Sequence, residues 1–176
     1  MSTVQAVKRA DPRALLRSLA ELDYDAVQAY EAAVERSEDA DIKKELGEFR
    51  DDHRRHIEDI NLLLVDLRGK PLLEDDFKHI LLEGKVFIAS LVGDRAVLEA
   101  MQSNEEETVK AYRSAVEIRG FAPEVTKLIE THYADERRHL AWIRGELEAT
   151  TDPLRDDRAE EDTEGLFTEP RPADDS

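Results

Sequence analysis

One phrase occurs twice in this chain of 176 residues, and its repetition is the strongest constraint on the fold. Residues 52–57 read DHRRHI and residues 135–140 read DERRHL. A second pair of phrases, DAVQAYEAAV at 25–34 and ETVKAYRSAV at 107–116, repeats at almost the same spacing. The pattern is that of one helical hairpin, duplicated, with an aromatic-rich first helix and a His-bearing second helix in each copy.

Composition narrows the class of protein. The chain is 40% hydrophobic and 38% charged, with 7 Gly and 6 Pro, which is typical of a helix-rich domain. No apolar run approaches the roughly 20 residues that span a bilayer, and a net charge of -17 argues against nucleic acid or an anionic membrane as partner. Cysteine is absent and the N-terminus lacks the apolar segment of a secretory signal, so we expect a cytoplasmic protein without disulfides.

Apolar residues at three-four spacing predict four long helices. Helix one begins at the Asp11-Pro12 start signal and ends near Ser37, and helix two ends before Gly69-Lys70-Pro71. Asp94 is expected to cap helix three, which runs to about Arg119. Helix four follows the turn that ends in Pro123.

The order of these helices predicts an all-α four-helix bundle over residues 13–149, made of two antiparallel hairpins. The apolar stretch between the hairpins predicts a crossover helix from about Asp75 to Leu91. Residues 1–12 are expected to form an N-terminal arm, and the acidic, Pro-containing tail at 150–176 is expected to be disordered.

Ionisable residues interrupt the inward-facing stripe of every predicted helix. Because antiparallel helices both rise about 1.5 Å per residue, the repeat alignment places these residues at one level of the bundle. Burying them without a counter-charge costs several kcal/mol each, which a divalent metal ion would offset. Carboxylate and imidazole ligands suit iron, manganese or zinc. The predicted metal ligands are Asp23, His53, His56, Glu105, Glu136 and His139.

Three further residues on these stripes are expected to support the ligands. Tyr30 and Tyr112 occupy the same rank in the two copies, and His132 lies one turn before the second His-bearing phrase. A competing interpretation needs no metal: the histidines are then core residues that hydrogen-bond the buried acids. Both interpretations stay open at the level of sequence.

The chain resembles the ferritin-like superfamily, in which two helices each supply a Glu and two others each supply E-x-x-H. The matching positions here are Asp23, Glu105 and the segment from Glu136 to His139. It resembles more closely still a bacterial family of ferritin-like four-helix bundles classified as a domain of unknown function. That likeness rests on GDRAVLEAMQSNEEETVKAY at 93–112 and PEVTKLIETHYADERRHLAWIR at 123–144. It covers about residues 13–148 and implies a ferritin-like bundle with a crossover helix.

The chain departs from the ferritin pattern at two positions. His53 stands where a bridging Glu is usual, and Asp23 replaces the first Glu. The site then has less negative charge with which to support two ferric ions. We therefore expect one or two metal ions per chain and consider a mononuclear or asymmetric site. This departure argues against efficient ferroxidase activity.

The resemblance implies a metal-binding protein, with iron expected and manganese or zinc as alternatives, in iron or oxidative-stress handling. If it is an enzyme, it is an oxidoreductase of the ferroxidase or peroxide-scavenging type that acts on oxygen or peroxide. The alternative is a non-enzymatic stress or adaptor protein with a structural polar or zinc cluster and a partner-binding tail, in which Gly165-Leu166-Phe167 is the only apolar segment. Because ferritin-like hairpins often pair, a homodimer is also expected.

Overall fold

The computed structural model describes residues 11–77 and 87–150. Within them every regular element is helical: α1 (Pro12–Arg36), α2 (Ala40–Asp66), a 3-10 helix (Glu74–Phe77), α3 (Asp94–Val116) and α4 (Pro123–Ala149). None of the described helices is long and apolar enough to cross a membrane. The four predicted long helices are therefore present. The predicted N-terminal arm, residues 1–12, and acidic tail, residues 150–176, lie outside the described residues except for residues 11, 12 and 150.

The bundle consists of two hairpins packed side by side. Helix α1 packs along α2 and α3 packs along α4, while contacts between α1 and α3 and between α2 and α4 join the two hairpins. The predicted crossover helix lies largely on residues 78–86, outside the described residues. At its two ends the structure shows the 3-10 helix and three helical residues at 87–89.

Local signals in the sequence explain where α2 begins and where it ends. The carboxylate of Asp39 accepts hydrogen bonds from the backbone N–H of Asp41 at 2.8 Å and of Ile42 at 3.0 Å, which caps α2. At the other end of α2 the backbone of Arg68 is left-handed, with φ 56°. The N–H of Gly69 then donates to the carbonyl of Leu64 at 2.7 Å, which completes a Schellman cap. A Cβ at Gly69 would meet that carbonyl oxygen at 3.0 Å, so the position favours glycine.

The expectation that Asp94 caps α3 is wrong. The capping position is Gly93, with φ 84°, and it makes no side-chain capping bond. The Asp94 carboxylate instead accepts from the backbone N–H of Glu38 at 2.8 Å and of Asp39 at 3.0 Å, in the turn between α1 and α2. These two amides lie at the start of α2, where backbone N–H groups have no acceptor within the helix, and beside the start of α3. Asp94 therefore joins the two hairpins.

Helix α3 also ends at Val116, earlier than predicted. The N–H of Ile118 bonds to the carbonyl of Ala115 at 3.2 Å, which tightens the last turn, and Gly120 then reverses the chain with φ 92°.

Two apolar clusters fill the bundle, one toward each end. The first includes Leu46, Phe49 and Met101, and the second includes Leu16 and Ile60. Between them lies a layer of buried ionisable side chains contributed by all four helices. This layer contains the candidate site.

Candidate metal centre

The six residues predicted as metal ligands converge in this central layer, and each is 0% exposed. They form two groups of four residues, and within each group one ligand atom from each residue lies within 4.8 Å of the others. His53 and Glu136 belong to both groups. The first group is completed by Asp23 and His56, and the second by Glu105 and His139.

The duplication explains why the layer is nearly symmetric. Spacing of three residues places His53 and His56 on one face of α2, and the same spacing places Glu136 and His139 on one face of α4. Asp23 on α1 and Glu105 on α3 occupy equivalent places in the two copies. The symmetry is broken at the shared pair, where imidazole in one copy faces carboxylate in the other.

His53 lies between the two acids that come from α1 and α3. Its Nδ1 is 3.1 Å from Asp23 Oδ1, and its Nε2 is 3.3 Å from Glu105 Oε1. Burial lowers the pKa of His53, but the carboxylates of Glu136, Asp23 and Glu105 together raise it well above its ordinary value. Because carboxylates only accept hydrogen bonds, both ring nitrogens of the metal-free protein act as donors.

The other acids of the layer differ in their ionisation. Burial raises the pKa of Asp23, yet contacts with His53 and His56 outweigh it and hold that pKa below its usual range. For Glu136 burial prevails and raises the pKa to about 7, helped by the neighbouring Glu105 and Asp23. The layer therefore contains a carboxyl group that is only partly ionised near neutral pH.

Two tyrosines, one on α1 and one on α3, each donate a hydrogen bond to the buried acid of the other helix. The hydroxyl of Tyr30 on α1 donates to Glu105 Oε1 on α3 at 2.6 Å, and Tyr112 on α3 donates to Asp23 Oδ2 on α1 at 2.6 Å. Burial and the neighbouring carboxylate raise the pKa of both tyrosines well above the ordinary value, so both hydroxyls stay protonated. The structure thus places Tyr30 and Tyr112 directly against the candidate ligands.

Asp52 and Asp135 were missed at the level of sequence. Asp135 Oδ2 is 3.2 Å from His56 Nε2, and Asp52 Oδ2 is 3.1 Å from His139 Nε2, so each acid holds the histidine of the other hairpin. An N–H at Nε2 leaves Nδ1 of each ring directed into the layer. The signal was available, because an Asp opens the repeated phrase in both copies.

Two arginines of the same phrase hold these acids in place at the seam between α2 and α4. Arg55 Nη2 donates to Asp52 at 2.7 Å and to Asp135 at 2.9 Å. Arg138 also donates to Asp52 and lies 3.6 Å from Asp135. The four charges form a closed network over the outer edges of the two histidines.

His132 lies at the edge of the layer rather than within it. Its ring stacks on His56 with centroids 4.0 Å apart, and its Nδ1 is 3.4 Å from the Tyr112 hydroxyl. The equivalent residue in the first copy is Phe49, which stacks on His139 at 4.2 Å. Burial and the charge on His56 lower the pKa of His132 to about 4.

Buried atoms without partners mark where a ligand would fit. Five atoms of the layer have no hydrogen-bond partner among the described residues: His56 Nδ1, His139 Nδ1, Glu105 Oε2 and both carboxylate oxygens of Glu136. His56 Nδ1 does lie 3.1 Å from Glu136 Oε1, but not with the angles of a hydrogen bond. Unpaired buried polar atoms are costly, so five in one layer fit a cation held by nitrogen and oxygen donors.

Comparison with known proteins gives the family and the fold. The sequence profile of the Domain of unknown function (DUF2383) family matches residues 13–118. Comparison with curated proteins found no match.

Two solved structures resemble the bundle. The first is a two-domain protein from Anabaena variabilis with DJ-1/ThiJ/PfpI-like and ferritin-like domains: TM-score 0.65, 15% identity, 94% of this chain covered. This chain spans only 41% of that protein. The second is the dodecameric thioferritin, a bacterioferritin-related protein, from Bacteroides fragilis: TM-score 0.66, 17% identity, 88% of this chain and 92% of that one covered.

The profile match confirms the expected resemblance to a family classified as a domain of unknown function, and the two structures show the fold. The fold is that of a ferritin-like bundle. Since the family profile matches more than half of the chain, the protein belongs to the family described as Domain of unknown function (DUF2383).

Proposed function

We propose that this protein binds a divalent transition-metal ion at the centre of its bundle, with iron favoured and manganese as the alternative, and that it serves iron or oxidative-stress handling. The observation that carries the proposal is the set of five buried atoms of the central layer that have no hydrogen-bond partner within residues 11–77 and 87–150. A purely structural polar network is expected to pair such atoms with one another, because each unpaired group costs about 1–3 kcal/mol.

The donor set also supports the choice of metal. The three carboxylates are hard oxygen ligands and the three imidazoles are nitrogen ligands of intermediate hardness, a combination that iron, manganese and zinc accept. The outer nitrogens of His56 and His139 donate to Asp135 and Asp52, the arrangement that fixes ring orientation in metal sites. Two ferritin-like structural neighbours, one of them described as a thioferritin, are consistent with iron.

Bound iron would supply a one-electron couple between Fe(II) and Fe(III), which is the chemistry that oxygen or peroxide handling requires. The protein's own part is to bind and to exclude water. All six ligand side chains are fully buried, and Tyr30 and Tyr112 hold Glu105 and Asp23 by hydrogen bonds. A closed bundle of this kind favours small reactants over large substrates.

Elemental analysis of the purified, untagged protein tests the proposal. The site variant is His53→Ala/His139→Ala, and the control is Glu106→Gln, whose exposed side chain adjoins Glu105 in sequence but pairs with Arg144 on the surface. We expect one or two equivalents of iron or manganese in the wild type and the control, and none in the site variant, with helix content equal by circular dichroism.

Two results would contradict the proposal. Metal that persists in the site variant would mean that the ion binds elsewhere, and absence of metal from the wild type, even after incubation with Fe(II) or Mn(II), would leave a structural polar network. Stoichiometric zinc, lost in the site variant, would instead support the non-redox alternative.

A further inference from the structure

The two halves of the central layer are not equally ready to hold an ion. Each half has its own acid and its own histidine, and both share His53 and Glu136. Glu136 has two oxygens, and neither has a hydrogen-bond partner in the described part of the chain, so it can serve both halves. The capacity of the layer therefore depends on His53, which stands where the other copy has a carboxylate.

A single imidazole cannot serve both halves in the same way. A neutral ring carries one N–H and one lone pair, so when one nitrogen binds an ion the other keeps its proton and donates. In this structure the two nitrogens face different acids: Nδ1 lies 3.1 Å from Asp23 Oδ1 and Nε2 lies 3.3 Å from Glu105 Oε1. One of these acids is expected to stay a hydrogen-bond acceptor of His53 while an ion occupies the other half.

The partners of the two acids decide between the halves. Both oxygens of Asp23 are engaged, Oδ1 by His53 and Oδ2 by the Tyr112 hydroxyl at 2.6 Å. Glu105 uses only Oε1, which accepts from Tyr30 and lies 3.3 Å from His53 Nε2, and its Oε2 has no hydrogen-bond partner among the described residues. Each half has one histidine nitrogen without a partner among the described residues, on His56 or on His139, and each shares Glu136, so the free Oε2 of Glu105 is the difference between the halves.

From this we infer that the bundle holds one tightly bound divalent ion, in the half formed by His53 Nε2, Glu105, Glu136 and His139 Nδ1. Asp23 is a positioning residue, which accepts the proton of His53 Nδ1 and so directs Nε2 toward the ion. This inference rests on the proposed function, since it assigns the place and number of the ion within the same layer.

Titration with Co(II), whose absorption bands report its ligands, tests the assignment in the full chain. The matched variants are Glu105→Gln and Asp23→Asn, which change equivalent residues of the two copies to their isosteric amides. We expect one Co(II) per wild-type chain. Asp23→Asn should keep the stoichiometry and the absorption bands, with affinity lowered about tenfold, whereas Glu105→Gln should lose the bands because an amide nitrogen replaces the unpartnered oxygen.

A third variant tests the role of His53. His53→Glu gives both copies a carboxylate at this position and frees Asp23 Oδ1 from its hydrogen bond. We expect this variant to bind two Co(II) ions per chain. A folded variant that still binds one ion would overturn the idea that His53 limits the layer to a single ion.

The outcomes separate this inference from the proposed function. Two Co(II) ions of equal affinity in the wild type, or equal losses in Asp23→Asn and Glu105→Gln, would overturn the inference and leave metal binding intact. Failure of the wild type to bind Co(II), iron or manganese at all would overturn both. Circular dichroism and urea denaturation of each variant, without metal, exclude loss of folding as the cause.

Discussion

Replacement of His132 by phenylalanine should remove a pH-dependent weakness of the metal-free protein. His132 is buried and stacks on His56, whose own pKa is raised to about 10 by Asp135, Asp23 and Glu136 against the effect of burial. A proton on His132 would therefore lie, in a buried position, beside a ring that is already positive. Phenylalanine already fills the equivalent position of the first copy, so His132→Phe keeps an aromatic ring against His56.

The size of the effect follows from the shift in pKa. His132 has an ordinary pKa of 6.5, which burial and His56 lower to about 4 in the folded protein. Between these values the unfolded chain binds more protons than the folded one, so folding stability is full above pH 6.5 and is lost as the pH falls toward 4. At pH 5.5 about one unit of the shift is expressed, which corresponds to about 1.4 kcal/mol.

Urea denaturation of both proteins without metal, at pH 7.5 and pH 5.5, measures this effect. The difference in unfolding free energy between the wild type and His132→Phe should move by about 1.4 kcal/mol in favour of the variant at the lower pH. Titrating groups that do not interact with His132 affect both proteins alike, so they cancel in this comparison. An equal difference at the two pH values would refute the reasoning, because it would mean that His132 is protonated equally in the folded and unfolded chains.

Three further predictions follow from single contacts. Asp94→Ala should lower the unfolding free energy by about 1–2 kcal/mol in urea, because two backbone N–H groups of the α1–α2 turn lose their acceptor; an unchanged midpoint would contradict that role. Asp52→Asn should weaken Co(II) binding about 10–100-fold, because Asp52 holds His139. Asp135→Asn, which changes the partner of His56, should leave the affinity nearly unchanged. Equal losses in the two variants would argue against placing the ion in the half that contains His139. Burial raises the pKa of Glu136 to about 7, so the folded protein favours the protonated form. The unfolding free energy of the metal-free wild type should therefore fall by about 3 kcal/mol between pH 4.5 and pH 7, relative to that of Glu136→Gln. Parallel pH profiles of the two unfolding free energies would exclude the raised pKa.

The sequence was sufficient to predict the four long helices and the central layer. Residues three or four apart lie on the same face of a helix. His53 and His56 therefore share the inward face of α2, and Glu136 and His139 share the inward face of α4. The duplication then aligned Asp23 with Glu105, and the common rise of the helices placed all six at one level. Their convergence and full burial in the structure agree with that expectation.

Local pattern misled at the start of α3. Asp94 is of a residue type that often caps helices and stands at the start of α3, yet its carboxylate accepts hydrogen bonds from the turn between α1 and α2. Hydrogen-bond donors of the other hairpin lie 2.8 and 3.0 Å from this carboxylate, and it accepts from them. Periodicity carries no information about such contacts, since they depend on how the two hairpins pack.

The same limit applies to the details of the central layer. The sequence alone determined which residue types lie there, because their spacing along a helix fixes the face that they occupy. Only the tertiary structure decided that Asp52 holds His139 and Asp135 holds His56, that the tyrosines cross between α1 and α3, and that the nitrogens of His53 face different acids. Those choices depend on distances of about 3 Å between side chains on different helices, which packing sets and helical periodicity does not.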